Sequence, residues 1–298
     1  MMTAIETEDF LDEDFLKKLE RLKLLAGKVI KGPRKGEHGS WRSGTSLEFL
    51  DYRKYQVGDD FRYVDWNVYG RLDKLFLKLF HSEEDLRVHI IMDVSRSMAY
   101  GQPPKALVAK KLAATLSYIA LANFDHVEFV SFADSIGESL GSQRGKKAYQ
   151  AILRFLSDLK PKGETGLNAS LTDFASTCTR PGLAVIISDL LDTKGFKKGL
   201  EALIQRKFKT TLIQVLDHEE LFPSLDGYLI LKEMETGETK RITLSNDLRS
   251  LYRKKMEQFL DEIREFCLTK GIGYYLLDTS IPFEDFLFEY LADGKLFQ

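Results

Sequence analysis

An apolar run changes abruptly into Asp-x-Ser-x-Ser within Val88-His89-Ile90-Ile91-Met92-Asp93-Val94-Ser95-Arg96-Ser97-Met98. This change indicates the fold class. A nearly unbroken apolar, β-branched run is typical of a buried strand in a parallel sheet. The polar residues follow where the strand leaves the sheet, and residues two apart point the same way while the backbone stays extended. Ligands of open α/β sheets lie outside the carboxyl ends of the strands. Asp93, Ser95 and Ser97 are therefore predicted to direct three oxygens at one point, a ligand set that suits a hard divalent cation.

From Arg87 onward the sequence alternates between strand and helix patterns, which predicts βαβ crossovers and a mostly parallel sheet. Ile136–Leu140 is expected to form a short edge strand, and Tyr228–Leu244 a hairpin. Strands are predicted over Arg87–Met92, Val127–Phe132, Leu183–Ser188, Thr210–Leu216 and Ile272–Leu277, and helices over Pro104–Asn123, Lys146–Leu159, Leu167–Thr179, Phe196–Arg206 and Leu248–Thr269.

The chain is predicted to have three parts that differ in composition. Residues 1–43 form an N-terminal helix, with leucines at helical spacing, followed by a basic loop. Residues 44–85 form a small β-rich module with many aromatic side chains, and residues 86–298 form the α/β domain, with the hairpin inserted near 228–244. The basic loop is interpreted either as a solvated loop or as a contact for an acidic partner or a phosphate.

The small module has two notable segments, Gly58-Asp59-Asp60 and Asp65-Trp66. The first is a turn pattern. Asp59, Asp60 and Arg62 either pair in a turn that anchors the module to the sheet or form part of a partner surface. The Trp66 side chain is expected in the core of the module.

The bulk properties are those of an ordinary globular protein of 298 residues with a net charge of −2, which offers no global field for nucleic acid or a membrane. Cys178 and Cys267 are far apart and no CxxC motif occurs, so neither zinc nor a disulfide framework is indicated. No apolar stretch reaches the roughly 18 residues that span a bilayer. The acidic N-terminus lacks the pattern of a signal peptide. We therefore expect a cytoplasmic protein with no membrane span and no nucleic-acid partner.

Two further loops carry oxygen ligands to the same predicted edge of the sheet. Asp189 directly follows the strand Leu183–Ser188, and Thr165 lies in a glycine-containing turn before a helix. Each residue alone has an ordinary interpretation as a helix cap or turn residue. Their order and placement together predict one cation site built from Asp93, Ser95, Ser97, Thr165 and Asp189.

The pattern Asp93-x-Ser95-x-Ser97, then Thr165, then Asp189, resembles the metal-ion-dependent adhesion site (MIDAS) of von Willebrand factor type A domains. The upstream segment is similar to the bacterial domain-of-unknown-function family numbered fifty-eight. The residues that carry this second resemblance are Leu47-Glu48-Phe49, Arg53, Tyr55, Gly58-Asp59-Asp60, Arg62, Asp65-Trp66-Asn67 and Lys78.

The resemblance implies a Rossmann-type, doubly wound α/β fold and Mg²⁺ as the bound ion, with Mn²⁺ or Ca²⁺ as substitutes. It implies that Ser95 and Ser97 bind the ion directly and that Thr165 binds directly or through water. Asp93 and Asp189 would hold coordinated waters or bind directly. It also implies a MoxR-type AAA+ ATPase, or the client of one, as the partner in chaperone-like or complex-assembly work.

The ligand set favours a binding module over an enzyme. Three of the five ligands are neutral hydroxyls, so the ion stays electrophilic and open to an Asp or Glu of a partner chain. The alternative is a Mg²⁺-dependent hydrolase of phosphate or ester substrates, which calls for a positioned base or nucleophile. None of the five histidines lies in the three loops, and His89, inside the first strand, is expected in the core. No Walker motif occurs. We therefore expect no enzymatic activity.

Overall fold

The structure is a computed structural model that describes residues 47–82, 86–223, 227–232, 239–244 and 246–281. The chain divides into two compact units, a small one over Pro33–Asp85 and a large one made of Met1–Gly32 with Leu86–Gln298. The N-terminal helix and basic loop predicted over residues 1–43 lie outside the described residues. Within the described part of the chain, no helix is both long enough and apolar enough to cross a membrane.

The described elements alternate between strands and helices through most of the large unit. The strands are β1 (Leu47–Lys54), β2 (Phe76–Ser82), β3 (Arg87–Asp93), β4 (His126–Phe132), β5 (Ile136–Arg144), β6 (Leu183–Ser188), β7 (Lys209–Leu216), β8 (Gly227–Lys232), β9 (Thr239–Leu244) and β10 (Gly273–Asp278). The helices are α1 (Trp66–Leu72), α2 (Lys105–Ala122), α3 (Tyr149–Asp158), α4 (Leu167–Thr177), α5 (Lys197–Gln205), α6 (His218–Leu221) and α7 (Asn246–Lys270).

Six strands form one sheet in the order β10-β7-β6-β3-β4-β5. Neighbouring strands are parallel except β4 and β5, which confirms the predicted α/β class with a mostly parallel sheet. β3 lies between β6 and β4, and its residues from Val88 to Asp93 are buried. This position explains the apolar run, because a central parallel strand is covered on both faces. From β3 the chain continues to β4 on one side and returns to β6 on the other, so the strand order reverses between β3 and β6. At such a point α/β sheets bind ligands outside the carboxyl ends of the strands.

Helices cover both faces of the sheet. Ile90 and Met92 of β3 belong to one core, which includes Leu112 of α2 and Ile152 of α3. Ile91 belongs to a second core with buried residues of α4, α5 and α7. Successive residues of a strand point to opposite faces, so one strand supplies both cores. Each fully buried aliphatic side chain contributes about 1.5–3 kcal/mol to stability, which makes β3 a rigid support for the loop that follows it.

The observed boundaries differ from the predicted ones by a few residues. β5 extends beyond the predicted Ile136–Leu140 to Arg144 and pairs antiparallel with β4. A 3₁₀ turn over Lys146–Ala148 precedes α3, so this helix begins later than predicted. In the segment predicted as a hairpin, β8 and β9 pair antiparallel. His89 is buried, with Nε2 3.1 Å from the Arg180 carbonyl oxygen, which confirms its place in the core.

In the small unit, β1 and β2 pair antiparallel and are linked by a segment that contains α1. The helix α1 was not predicted. It begins after Asp65, whose side chain accepts hydrogen bonds from the N–H groups of Asn67 and Val68. The Asp65 carboxylate also accepts from Tyr52 Oη at 2.9 Å and lies 3.0 Å from Lys78 Nζ. Burial raises the pKa of Asp65, but these hydrogen bonds outweigh it and lower the pKa to about 2.

The turn residues of the small unit form ion pairs. Asp60 pairs with Arg62 at 2.6 Å, whereas Asp59 pairs with Arg53 at 2.8 Å. The predicted pairing of these carboxylates within the turn is confirmed, with Arg53 as an additional partner, and the anchoring of the module to the sheet stays a prediction. The expectation of a buried Trp66 is wrong, because this side chain is 59% exposed. It contacts the Tyr69 ring edge-on as a neighbour on the surface of α1.

Candidate functional site

The first loop of the candidate site begins where β3 ends. Asp93 and Ser95 are fully buried, and Ser97 is half-buried. The Ser95 N–H donates to Asp93 Oδ1 at 2.8 Å, and the Ser95 and Ser97 hydroxyl oxygens lie 2.9 Å apart. This spacing allows a hydrogen bond between the two hydroxyls. It also equals the edge of a Mg²⁺ octahedron, about 2.9 Å for metal–oxygen distances of about 2.05 Å.

The loop that carries Thr165 is attached to the segment after β3. The Lys162 N–H donates to the Val94 carbonyl oxygen at 2.7 Å, and the Arg96 N–H donates to the Gly163 carbonyl oxygen at 3.1 Å. Thr165 is 3% exposed. These backbone bonds bring two of the three predicted loops together, because each loop provides partners that the other would otherwise lack.

Gly166, immediately after Thr165, permits a close approach to the loop after β4. Its N–H donates to the Ala133 carbonyl oxygen at 2.7 Å, and a Cβ at this position would lie 2.4 Å from the Asp134 carbonyl oxygen. Only glycine fits this contact without displacement of the backbone. The turn sequence that suggested a ligand loop therefore also has a packing role.

The third loop is joined to the first through buried side chains. The Ser188 hydroxyl, at the end of β6, donates to Asp93 Oδ2 at 2.6 Å. Asp189 is fully buried, and its Oδ1 accepts from the Leu191 N–H at 3.0 Å. Its Oδ2 accepts from Lys105 Nζ at 2.8 Å. The side chains of Asp93 and Asp189 are thus each held at both oxygens by groups of the protein.

Leu190 adopts an uncommon backbone conformation at this loop, with φ of 60°. Its N–H donates to the Ser188 hydroxyl oxygen at 3.0 Å, and its side chain is buried. A left-handed conformation costs a branched residue on the order of 1–3 kcal/mol and occurs often at functional sites. Here it turns the chain sharply after Asp189, so that the Asp189 carboxylate stays at the strand end.

Lys105 belongs to this site, although it was not among the residues predicted from the sequence. Its side chain is 0% exposed, and Nζ contacts Glu220 Oε1 at 2.7 Å as well as Asp189. Glu220 also caps α6, since its Oε2 accepts from the Asp217 N–H at 2.9 Å. The sequence did contain a sign of this pairing, because Lys105 is the first residue of α2 and the N-terminus of a helix disfavours a cation. A buried lysine at that position is stable only with carboxylates nearby.

The electrostatics of the site favour an added positive charge. Burial raises the pKa of Asp93, and the negative charge of Asp189 raises it further, to about 7. Burial lowers the pKa of Lys105, but Asp189 and Glu220 outweigh this effect and raise it, so Lys105 stays an ammonium. The proton is therefore a competitor of any cation at Asp93.

The five predicted ligands are all oxygen donors, and a hard ion prefers such a set. In the part of the chain that the structure describes, no group of three or more His, Cys, Asp or Glu side chains is arranged to hold a metal ion. The five predicted ligands do not form such a group, because only two of them are carboxylates and the other three are hydroxyls. The structure brings the loops of Asp93, Thr165 and Asp189 to one edge of the sheet.

Known proteins resemble this chain at low sequence identity. The family model described as "Protein of unknown function DUF58" matches residues 51–259. Uncharacterized proteins of Mycobacterium bovis and Mycobacterium tuberculosis are 24% identical over 247 residues, which cover 81% of this chain and 77% of each relative. Solved structures of an aerotolerance-related membrane protein from Bacteroides fragilis and of BatB from Bacteroides thetaiotaomicron are each 17% identical, with TM-scores of 0.43 and 0.42. Each match covers 70% of this chain and 99% of the other chain.

Proposed function

This chain belongs to the DUF58 family, and we propose that it is a protein-interaction module that depends on a bound divalent cation. We further propose that the large unit has the doubly wound fold of von Willebrand factor type A domains and carries a MIDAS-type site. The observation that carries it is the meeting of three oxygen-bearing loops at the carboxyl edge of the sheet, with Ser188 joining Asp93 to the end of β6.

The donor set fits Mg²⁺, with Mn²⁺ or Ca²⁺ as substitutes. Ser95, Ser97 and Thr165 would hold the ion through hydroxyls, and Asp93 and Asp189 would supply the negative charge. Asp93 is fully buried and its described hydrogen bonds come from the neutral groups of Ser95 and Ser188, so a cation beside it would stabilise its charge. When bound, the ion supplies a Lewis acid that accepts one more oxygen ligand.

The ligand of that open position is proposed to be a carboxylate from a partner protein. Asp93 and Asp189 have both oxygens engaged by hydrogen bonds from the protein, so they are placed to orient water rather than to saturate the ion. The three hydroxyls add no negative charge, and Asp189 already pairs with Lys105. An Asp or Glu of the partner would therefore complete the site, and the chain itself would not be an enzyme.

The proposed partner is a MoxR-type AAA+ ATPase or a client of one, in chaperone-like or complex-assembly work in the cytoplasm. Any ATP hydrolysis would come from that partner, because this sequence has no Walker motif. Cys178 and Cys267 are both free thiols, which suits a reducing compartment.

The proposal is tested by titrating the purified chain with Mg²⁺ and Mn²⁺ in a calorimeter, and by co-purification with a MoxR-type ATPase in Mg²⁺ or in EDTA. We expect binding of one ion, and ATPase capture that EDTA abolishes. Asp93→Asn keeps the side-chain shape and should abolish both. Asp158→Ala, at an exposed carboxylate of α3, is the matched control and should change neither. Capture that is equal with and without the ion would refute the proposal.

A further inference from the structure

Lys105 is the charged group at the candidate site that the proposed function does not use. Lys105 is 0% exposed, and a lysine side chain is seldom fully buried unless it is paired, because removing an ammonium from water is strongly unfavourable. Here two carboxylates compensate that cost, Asp189 at 2.8 Å and Glu220 at 2.7 Å. The position is also unfavourable for a cation because it starts α2. The burial of Lys105 is therefore energetically unfavourable without these partners. Among the described hydrogen bonds, the one that joins Lys105 to a predicted metal ligand is from Nζ to Asp189 Oδ2.

We propose that Lys105 is a built-in competitor for the metal ion, which occupies Asp189 and makes tight metal binding depend on an anionic partner. The ammonium takes the carboxylate oxygen that a cation would otherwise bind directly. The inference rests on the proposed function and names how that site is regulated. Lys105 acts through Asp189 and is therefore a positioning residue.

The charges at the site support this role. Asp93 and Asp189 are the two carboxylates among the proposed ligands, and Lys105 pairs with Asp189 at hydrogen-bond distance. Glu220 contacts the same ammonium through Oε1 and caps α6 through Oε2, so neither of its oxygens is free for the ion. Among the described ion pairs, Asp93 is then the proposed carboxylate ligand without a cation beside it, and an external carboxylate would supply the ion with a second one. Coupling of metal and partner affinity follows from this shortage.

Removal of the ammonium should increase the affinity for metal. Lys105→Met keeps the length and apolar stem of the side chain without its charge, and it frees Asp189 Oδ2. We expect the dissociation constant for Mn²⁺ alone to fall by about 10- to 100-fold, the scale set by removing one like charge a few ångströms from a cation at the effective dielectric constant of a protein. Acetate, a probe for the partner carboxylate, should tighten Mn²⁺ binding to the unaltered chain more than to this variant.

A second variant protects the test against misfolding. Lys105→Met combined with Glu220→Gln removes both charges of the pair, and glutamine retains an oxygen that accepts from the Asp217 N–H. This double variant should also bind Mn²⁺ more tightly. Lys110→Met is the matched control, because Lys110 lies on the same helix and donates to the Leu159 carbonyl oxygen at 2.6 Å, away from Asp189. A lysine with a purely structural role would give weaker metal binding when removed, or none at all.

The experiment is calorimetric titration of each folded variant with Mn²⁺ alone and with acetate present. Tighter binding in both Lys105 variants and unchanged binding in the control support the inference. Unchanged or weaker binding in both variants overturns it and leaves the proposed function intact if the unaltered chain binds Mn²⁺. Binding only after Lys105 is removed supports the competition and overturns the proposed function. Absence of binding in every variant overturns both.

Discussion

Ser188 links the ends of β3 and β6, and its replacement by alanine should destabilise the large unit by roughly 3 kcal/mol. The hydroxyl donates to Asp93 Oδ2 at 2.6 Å and accepts from the Leu190 N–H at 3.0 Å, both in a buried environment. Loss of a hydrogen bond to a charged group costs about 1.5–3 kcal/mol, and a buried N–H left without a partner costs about 1–3 kcal/mol. A water molecule that enters the vacated space would replace part of these two costs, so the expected net loss is roughly 3 kcal/mol.

Urea unfolding followed by far-ultraviolet circular dichroism is the suitable assay. Circular dichroism follows the helices and strands of the large unit, whereas Trp66 lies in the small unit. With a slope of about 3 kcal/mol/M, the expected loss lowers the midpoint by about 1 M urea. Ser176→Ala is the control, because this exposed hydroxyl bonds only within its own helix turn, to the Asp173 carbonyl oxygen, and should change stability by less than about 0.5 kcal/mol.

A loss below about 1 kcal/mol for Ser188→Ala, with the control unchanged, would refute the reasoning. It would mean that water replaces the hydroxyl at little cost, so that the strand ends are not held by this group. The metal titration of the same variant adds a second check. Asp93 would lose one of the hydrogen bonds that orient it, and we expect weaker Mn²⁺ binding even where the protein remains folded.

Three further predictions concern other parts of the molecule. The pKa of Asp65 is lowered from 3.8 to about 2, so the stability that Asp65 gives the small unit is present above about pH 4 and is lost as the pH falls through about 2. Acid unfolding of the Asp65→Asn variant, followed by tryptophan fluorescence, should lack this pH dependence. Gly166→Ala should lower the thermal midpoint of the large unit by several degrees, because the added Cβ meets the Asp134 carbonyl oxygen; an unchanged midpoint in circular dichroism would contradict the contact. Trp66→Ala should change the unfolding free energy by less than about 1 kcal/mol in urea, since the side chain is largely exposed, and a larger loss would show that it packs in a core.

The helix α1 of the small unit was not predicted, and the reason lies in its local sequence. The helix α1 is only seven residues long and starts at Trp66, in a segment rich in aromatic side chains, which gives weak periodicity. Its start is defined by the side chain of Asp65, a capping residue that also fits a turn. The exposure of Trp66 follows from the direction of this short helix, which the sequence pattern does not encode.

Local sequence pattern predicted the α/β class, the sheet strands and longer helices of the large unit, and the three loops of the candidate site, because periodicity and turn chemistry are properties of neighbouring residues. The short helix α6 was not predicted. Which side chains meet at the three loops is a consequence of tertiary packing. Ser188 reaches Asp93 across 95 positions, and Lys105 reaches Glu220 across 115. A buried ammonium is stable only where folding brings carboxylates to it, so the role of Lys105 depends on packing that no local pattern records.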